Sequence, residues 1–177
     1  MFDDLNAHFH EHLVPLYVRH REIREKAKAG LSRDLQAATA TANALYHFRE
    51  HLPQSHAMSR AKVAAQCPDH DLVGDIANVS KHAELTRGAP KVSHAQSVCE
   101  IIVLTEFSDD KGIFTDARKL VTVKLDDGTE RDVFDILTNV INFWGQQLAL
   151  WGVLKDYNLF PSQLGRSIQD RNALGSR

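Results

Sequence analysis

The chain has little cysteine, no long apolar run and no excess of charge of either sign. Its 177 residues include only Cys67 and Cys99, too few for a disulfide framework or a four-cysteine zinc site. The most apolar stretch, Val133 to Leu154, is broken by Asp135, Asn139, Asn142, Gln146 and Gln147, so no membrane-spanning helix is expected. A formal net charge of -2 and a pI near 6.5 argue against a duplex-DNA binder working by bulk electrostatics, and leave a local basic patch open. The opening Met1-Phe2-Asp3-Asp4 lacks the basic region and apolar run of a secretory signal, and the expected location is cytoplasmic. There is no internal repeat and no glycine-rich phosphate loop.

What is present is a globular composition. Hydrophobic residues at 43% and charged residues at 25% point to one folded domain rather than disorder. Ten histidines can make the surface charge depend on pH.

The periodicity predicts a first helix capped by Asp3 or Asp4 and closed by Gly30, burying Leu5, Phe9, Leu13, Leu16, Ile23 and Ala27. Pro15 predicts a kink or restart within it, because its ring clashes with the carbonyl four residues back. Ser32 caps a second helix reaching about Leu52, where Pro53 stops it. Its alanines and threonines suggest close approach to a neighbour. A short helix follows over Ser59 to Gln66, and Asp69 caps a further helix ending near Gly88 and Pro90.

Alternation over Ile101 to Phe107 and Val121 to Leu125 then predicts strands, with turns at Asp109-Asp110-Lys111-Gly112 and Asp126-Asp127-Gly128. A last long helix begins at Asp132, with Val133, Ile136, Val140, Trp144, Leu148 and Trp151 on one face. Its wide apolar surface suits either a buried core helix or a homodimer contact over residues 132–154. The expected fold is therefore mainly α: a bundle of about four main helices with an inserted β-hairpin or small antiparallel meander. One domain over 1–160 carries the hairpin at about 98–131, and 161–177 is a C-terminal tail.

The densest chemistry lies in the fourth helix. Asp71, Asp75, Asn78 and His82 recur at i, i+4, i+7 and i+11, so they line one edge beside the apolar stripe Leu72, Ile76, Val79 and Ala83. Lys81 flanks that edge. Asp75, Asn78, Lys81 and His82 are thus candidates for general acid–base work, the carboxylate fixing a tautomer of the imidazole. The same groups equally serve to hydrogen-bond the start of the hairpin or to tie two helices together.

The run Cys67-Pro68-Asp69, then Asp75-Ile76-Ala77-Asn78-Val79-Ser80-Lys81-His82 and Leu85-Thr86, with Phe143-Trp144 on the late helix, resembles a family of uncharacterised bacterial and phage proteins. The resemblance covers most of the chain and implies no established activity. More remotely, a helical bundle with a polar-plus-histidine motif is similar to HEPN domains, several of which are ribonucleases of toxin–antitoxin and phage-defence systems. Their motif is an arginine and a later histidine with about four to six residues between them. Counting back from His82 over that window meets Asp75, Ile76 and Ala77, and a literal match, Arg49 to His56, spans Pro53.

Two histidine pairs one turn apart, His8 with His12 and His47 with His51, offer a metal site if another helix adds a ligand such as Glu11, His70, His82 or Glu84. Cys67 beside His70 offers a thiol next to an imidazole. Arg19, Arg21, Arg24, Lys26 and Lys28 are basic but interleaved with Glu22 and Glu25, and Arg166, Arg171 and Arg177 lend the tail basic character. The leading expectation is a HEPN-like helical module, non-catalytic, acting through protein or nucleic-acid contacts in phage or stress biology. The alternatives are a metal-binding bundle and an acid–base enzyme or ribonuclease centred on Asp75, Asn78, Lys81 and His82. No cofactor is required by any of them except the metal of the second.

Overall fold

The structure, a computed structural model, describes residues 4–26, 33–86 and 89–161. The expected closure at Gly30, the Ser32 cap and the tail beyond 161 lie outside the described residues.

Helix α1 runs through Leu5–His8, a π-helical turn at Phe9–Leu13 and Val14–Lys26. Asp4 caps it, accepting the Asn6 N–H at 2.8 Å. The widened turn explains how Pro15 is accommodated. The Val14 N–H reaches back to the Phe9 carbonyl, and the extra residue loosens the turn just where the proline ring would crowd it. The helix therefore continues without restarting.

Helix α2 spans Arg33–His47 and passes into a 3-10 turn, Phe48–His51, before Pro53. Its small residues do bring a neighbour close: the Thr41 hydroxyl lies 3.2 Å from the Leu16 carbonyl of α1. Ser59 caps α3, Arg60–Gln66, accepting the Lys62 N–H. Helix α4 spans Asp69–Val79. Here two expectations fail. The cap position is held by Pro68. Asp69 instead takes a two-pronged ion pair from Arg131 (2.5 and 3.1 Å) and a hydrogen bond from Asn139. A bidentate guanidinium contact outweighs one backbone N–H. The helix also stops at Val79, well short of Gly88.

Strands β1 (Val98–Asp109), β2 (Gly112–Lys124) and β3 (Glu130–Asp132) form one antiparallel sheet in the order β1-β2-β3. Helix α5, Val133–Leu150, follows at once, with the Asp132 carboxylate accepting the Phe134 N–H at 2.8 Å. The described chain is thus five helices with a three-stranded meander. It is mixed α/β in character rather than plainly a bundle, because the hairpin is long enough to form an element of its own.

Helix α5 is the core. Ile136, Leu137, Val140, Ile141, Trp144 and Leu148 are fully buried, so this apolar face is spent inside the chain, and Leu150 at the end of the helix is exposed. Tyr17 of α1 closes one end, its hydroxyl 2.8 Å from Thr138 Oγ1, which in turn donates to the Phe134 carbonyl. The Trp144 indole donates to the Leu45 carbonyl at 3.3 Å and its ring meets Phe48 and His70 edge-on. Residues 151–161 fold back along α5, where Asn142 holds both the N–H and the carbonyl of Phe160 at 2.8 Å. No helix among the described residues is long and apolar enough to cross a membrane.

Gly74 sets how near α4 can come to α2. A Cβ at this position would sit 2.4 Å from Cε2 of the buried Tyr46 ring. Gly74→Ala is expected to lower stability by about 1–3 kcal/mol through overpacking, measured as the shift of the urea unfolding midpoint. An unchanged midpoint would show that the Tyr46 ring can move aside freely.

Candidate functional site

The polar edge is divided by the end of α4. Asp71, Asp75 and Asn78 stand on the helix, while Lys81 and His82 lie beyond it and are exposed. The Lys81 and His82 N–H groups both bond to the Asn78 carbonyl at 3.0 Å, and the Ser80 hydroxyl donates to the Ala77 carbonyl. The chain then pairs with itself: Leu85 N–H to Ser93 (2.7 Å), Ala95 N–H to Ala83 (3.1 Å), with Glu84 bridged to His94. Those strand-like bonds satisfy a backbone that a longer helix would have satisfied along its own axis, which is why the helical register ends early. Ala83 is exposed, so the apolar stripe ends at Val79.

Asp75 is only 5% exposed. Its Oδ2 accepts the Lys91 N–H at 2.7 Å, and its Oδ1 lies 3.9 Å from Arg60 Nη2. Burial raises its pKa, opposed by the Lys91 and Val92 N–H groups and by Arg60. It therefore fastens the segment leading to the hairpin onto α4. Among the described residues no hydrogen bond or ion pair joins Lys81 or His82 to Asp75, so the acid, the ammonium and the imidazole do not converge.

A different cluster does assemble, around Arg60, which helical spacing did not single out. Arg60 donates to Asp71 at 2.7 Å and lies 6.0 Å from the Tyr46 ring, with Arg49 at 5.5 Å from the same ring. His70, fully buried, packs against Tyr46 at 5.4 Å and Trp144 at 5.8 Å. Burial pulls its pKa down to about 4, and neither ring nitrogen has a partner at ordinary hydrogen-bond geometry. It is a core imidazole that burial keeps uncharged near neutral pH. The one sequence signal for this cluster is Gly74, a glycine inside a helical pattern, which marks close approach.

The histidine pairs divide likewise. His8 and His12 lie 5.3 Å apart by ring centroid, and His51 joins them at 4.2 Å from His8. His47 turns to Glu50, at 3.1 Å. His8 is buried, and burial with the two neighbouring rings holds it to a pKa of about 4. Among the described residues no group of three or more His, Cys, Asp or Glu is placed to hold a metal ion. Cys67 is buried and its thiol is pushed up to about 11, the opposite of an activated nucleophile. The literal arginine–histidine match also separates: Arg49 lies over Tyr46, while His56 stacks on Trp151 at 4.7 Å. Of the basic run on α1, Arg24 is spent on Asp132 at 2.5 Å and Arg21 pairs with Glu25 at 3.7 Å.

The remaining candidate surface is the hairpin itself. Strands β1 and β2 pair without interruption from Val98–Val123 to Asp109–Gly112. The base is anchored by buried Val121 and Val123 and by Glu100, which accepts the Leu35 N–H of α2 and pairs with Lys119. Farther out, Ile102 (64% exposed), Leu104 (66%), Phe107 (44%), Ile113 (75%) and Phe114 (49%) face solvent. Strand β3 pairs with β2 only over Thr122–Lys124, so both outer edges of the arm carry no strand among the described residues.

Two outcomes follow from the buried polar groups. Asp75→Ala strands the Lys91 N–H and is expected to cost about 1–3 kcal/mol, with faster amide exchange at Lys91 and Val92. Exchange unchanged there would show that another group holds the segment. Acidification should also destabilise the fold. His8, His20 and His70 have folded pKa values of about 4, below the unfolded value. The unfolded chain therefore takes up protons first, and stability falls as pH drops from about 6.5 towards 4, by roughly 3 kcal/mol at most for each of the fully enclosed rings, His20 and His70. Asp34, Asp75 and Asp132, whose pKa values burial raises, bind protons more readily when folded and oppose part of this loss. Urea midpoints measured between neutral pH and about pH 4.5 check the sign; a flat profile would mean water reaches the rings.

No protein-family model, no curated protein and no solved structure matches the chain.

Proposed function

We propose that the protein is a non-catalytic interaction module, a HEPN-like helical body that presents a β-arm to other proteins. One observation carries this reading. Five large apolar side chains stand exposed on an arm with open strand edges, Ile102, Leu104 and Ile113 on one face and Phe107 with Phe114 on the other, and exposed apolar surface of this kind marks association sites. The groups proposed for catalysis support it from the other side, since Asp75 is occupied by backbone N–H groups and His82 stands apart from it.

Protein is favoured over nucleic acid as the partner. The arm carries Glu100, Glu106, Asp109, Asp110 and Asp116 against Lys111, Arg118, Lys119 and Lys124, and Lys119 is paired with Glu100 at 3.6 Å. That leaves no cationic surplus to neutralise phosphates.

The test is a photo-crosslinking amino acid placed at Leu104 in the full chain and, separately, at Lys81 or His82, expressed in the native host. Covalent protein adducts are expected from Leu104 and not from Lys81 or His82. RNA adducts, or adducts confined to Lys81 and His82, would overturn the reading and return the α4 edge to candidacy.

A further inference from the structure

We propose that the partner of the arm is a second copy of this chain, with β1 pairing antiparallel to the partner's β1 about Leu104 to make one continuous six-stranded sheet. This rests on the arm being the contact surface.

The edge of β1 is unguarded. Its 12 residues, Val98–Asp109, contain no proline, lysine or arginine, and the register with β2 runs without a bulge. Proline, edge lysines and bulges are the usual devices that keep a strand edge from pairing. A strand that pairs antiparallel with its own copy obeys a two-fold axis. The contact therefore closes at two molecules and does not propagate.

The side chains choose the register. Cross-strand partners share a face, so the axis must pass through a residue position. Centring on Val103 would set Glu100 opposite the partner's Glu106, and like charges directly opposite are destabilising. Centring on Leu104 sets Leu104 against the partner's Leu104, Ile101 against the partner's Phe107 and Glu100 against the partner's Ser108. No acid then faces an acid along the strand. The two helical bodies fall at opposite ends of the paired arms.

The size of the contact sets its strength. About ten paired residues give an edge roughly 34 Å long, and at a depth of roughly 10 Å this covers about 340 Å² per copy. That is below the roughly 800 Å² per partner of a standard stable interface. The dimer is therefore weak and reversible.

The experiment is sedimentation of the full chain from about 1 to about 200 µM, where the mass should rise from the 19.9 kDa monomer towards twice that. Leu104→Lys should weaken association by about tenfold or more with an unchanged melting temperature, since Leu104 is 66% exposed. In a Cys99→Ser background, Leu104→Cys should form a disulfide dimer under mild oxidation, and Ile113→Cys on β2 should not. A monomer throughout the range overturns the proposal, as does a dimer that Leu104→Lys leaves intact or that crosslinks through Ile113→Cys instead. Should the chain stay monomeric while the crosslinker at Leu104 captures a different protein, self-pairing falls and the interaction-module reading stands. With neither result, both fall.

Discussion

Enclosure of α5 is the constraint on which the rest of the molecule depends. The helix is apolar over most of its circumference, from Val133 and Phe134 through Trp144 to Leu148, and a helix of that kind must be covered on several sides. Helices α1, α2 and α4 provide the cover, and each is shaped by it. Tyr17 reaches Thr138 through a hydroxyl chain, Leu45 gives its carbonyl to the Trp144 indole, and Phe48 and His70 close around the same ring. The hydroxyls, the indole and Asp75 drawn into the interior are matched, as close packing at low dielectric requires, whereas the rings of His20 and His70 have no partner at ordinary hydrogen-bond geometry.

The same enclosure decides what becomes of the chemically capable residues. His20 and His70 are pulled into the core and neutralised by burial. Asp75 is drawn far enough in that it serves backbone N–H groups, tying the segment before the hairpin to α4. Asp69 is recruited by Arg131 and Asn139 and pins the sheet to the start of α4. What remains exposed after the interior has been satisfied is the far half of the hairpin, where apolar side chains have no helix to cover them.

Much of the element order was legible in the sequence because it depends on local signals. Asp4 caps as expected, the helices expected from Ser59 and Asp132 start there, Pro53 ends the second helix, and the alternation at 101–107 and 121–125 marks real strands. The failures have a common cause. The end of α4 at Val79 depends on bonds between Leu85 and Ser93 and between Ala95 and Ala83, which no window of helical spacing contains. Arg60 joins Asp71 across a helix boundary, so a pattern drawn along one helix misses it. The hairpin was legible as strands but not as an arm, since period-two alternation does not state which face finds a cover.

By itself, then, the sequence determined the caps, the proline stops, the strand periodicity and the apolar helix that had to become the core, because each follows from the stereochemistry of a few neighbouring residues. Only the tertiary structure decided that Lys81 and His82 part company with Asp75, that His70 is core, and that Ile102, Leu104 and Ile113 stay in water. Those outcomes are settled by which distant backbone and side-chain groups arrive to share a limited interior, and proximity of that kind is created only when the chain closes on itself.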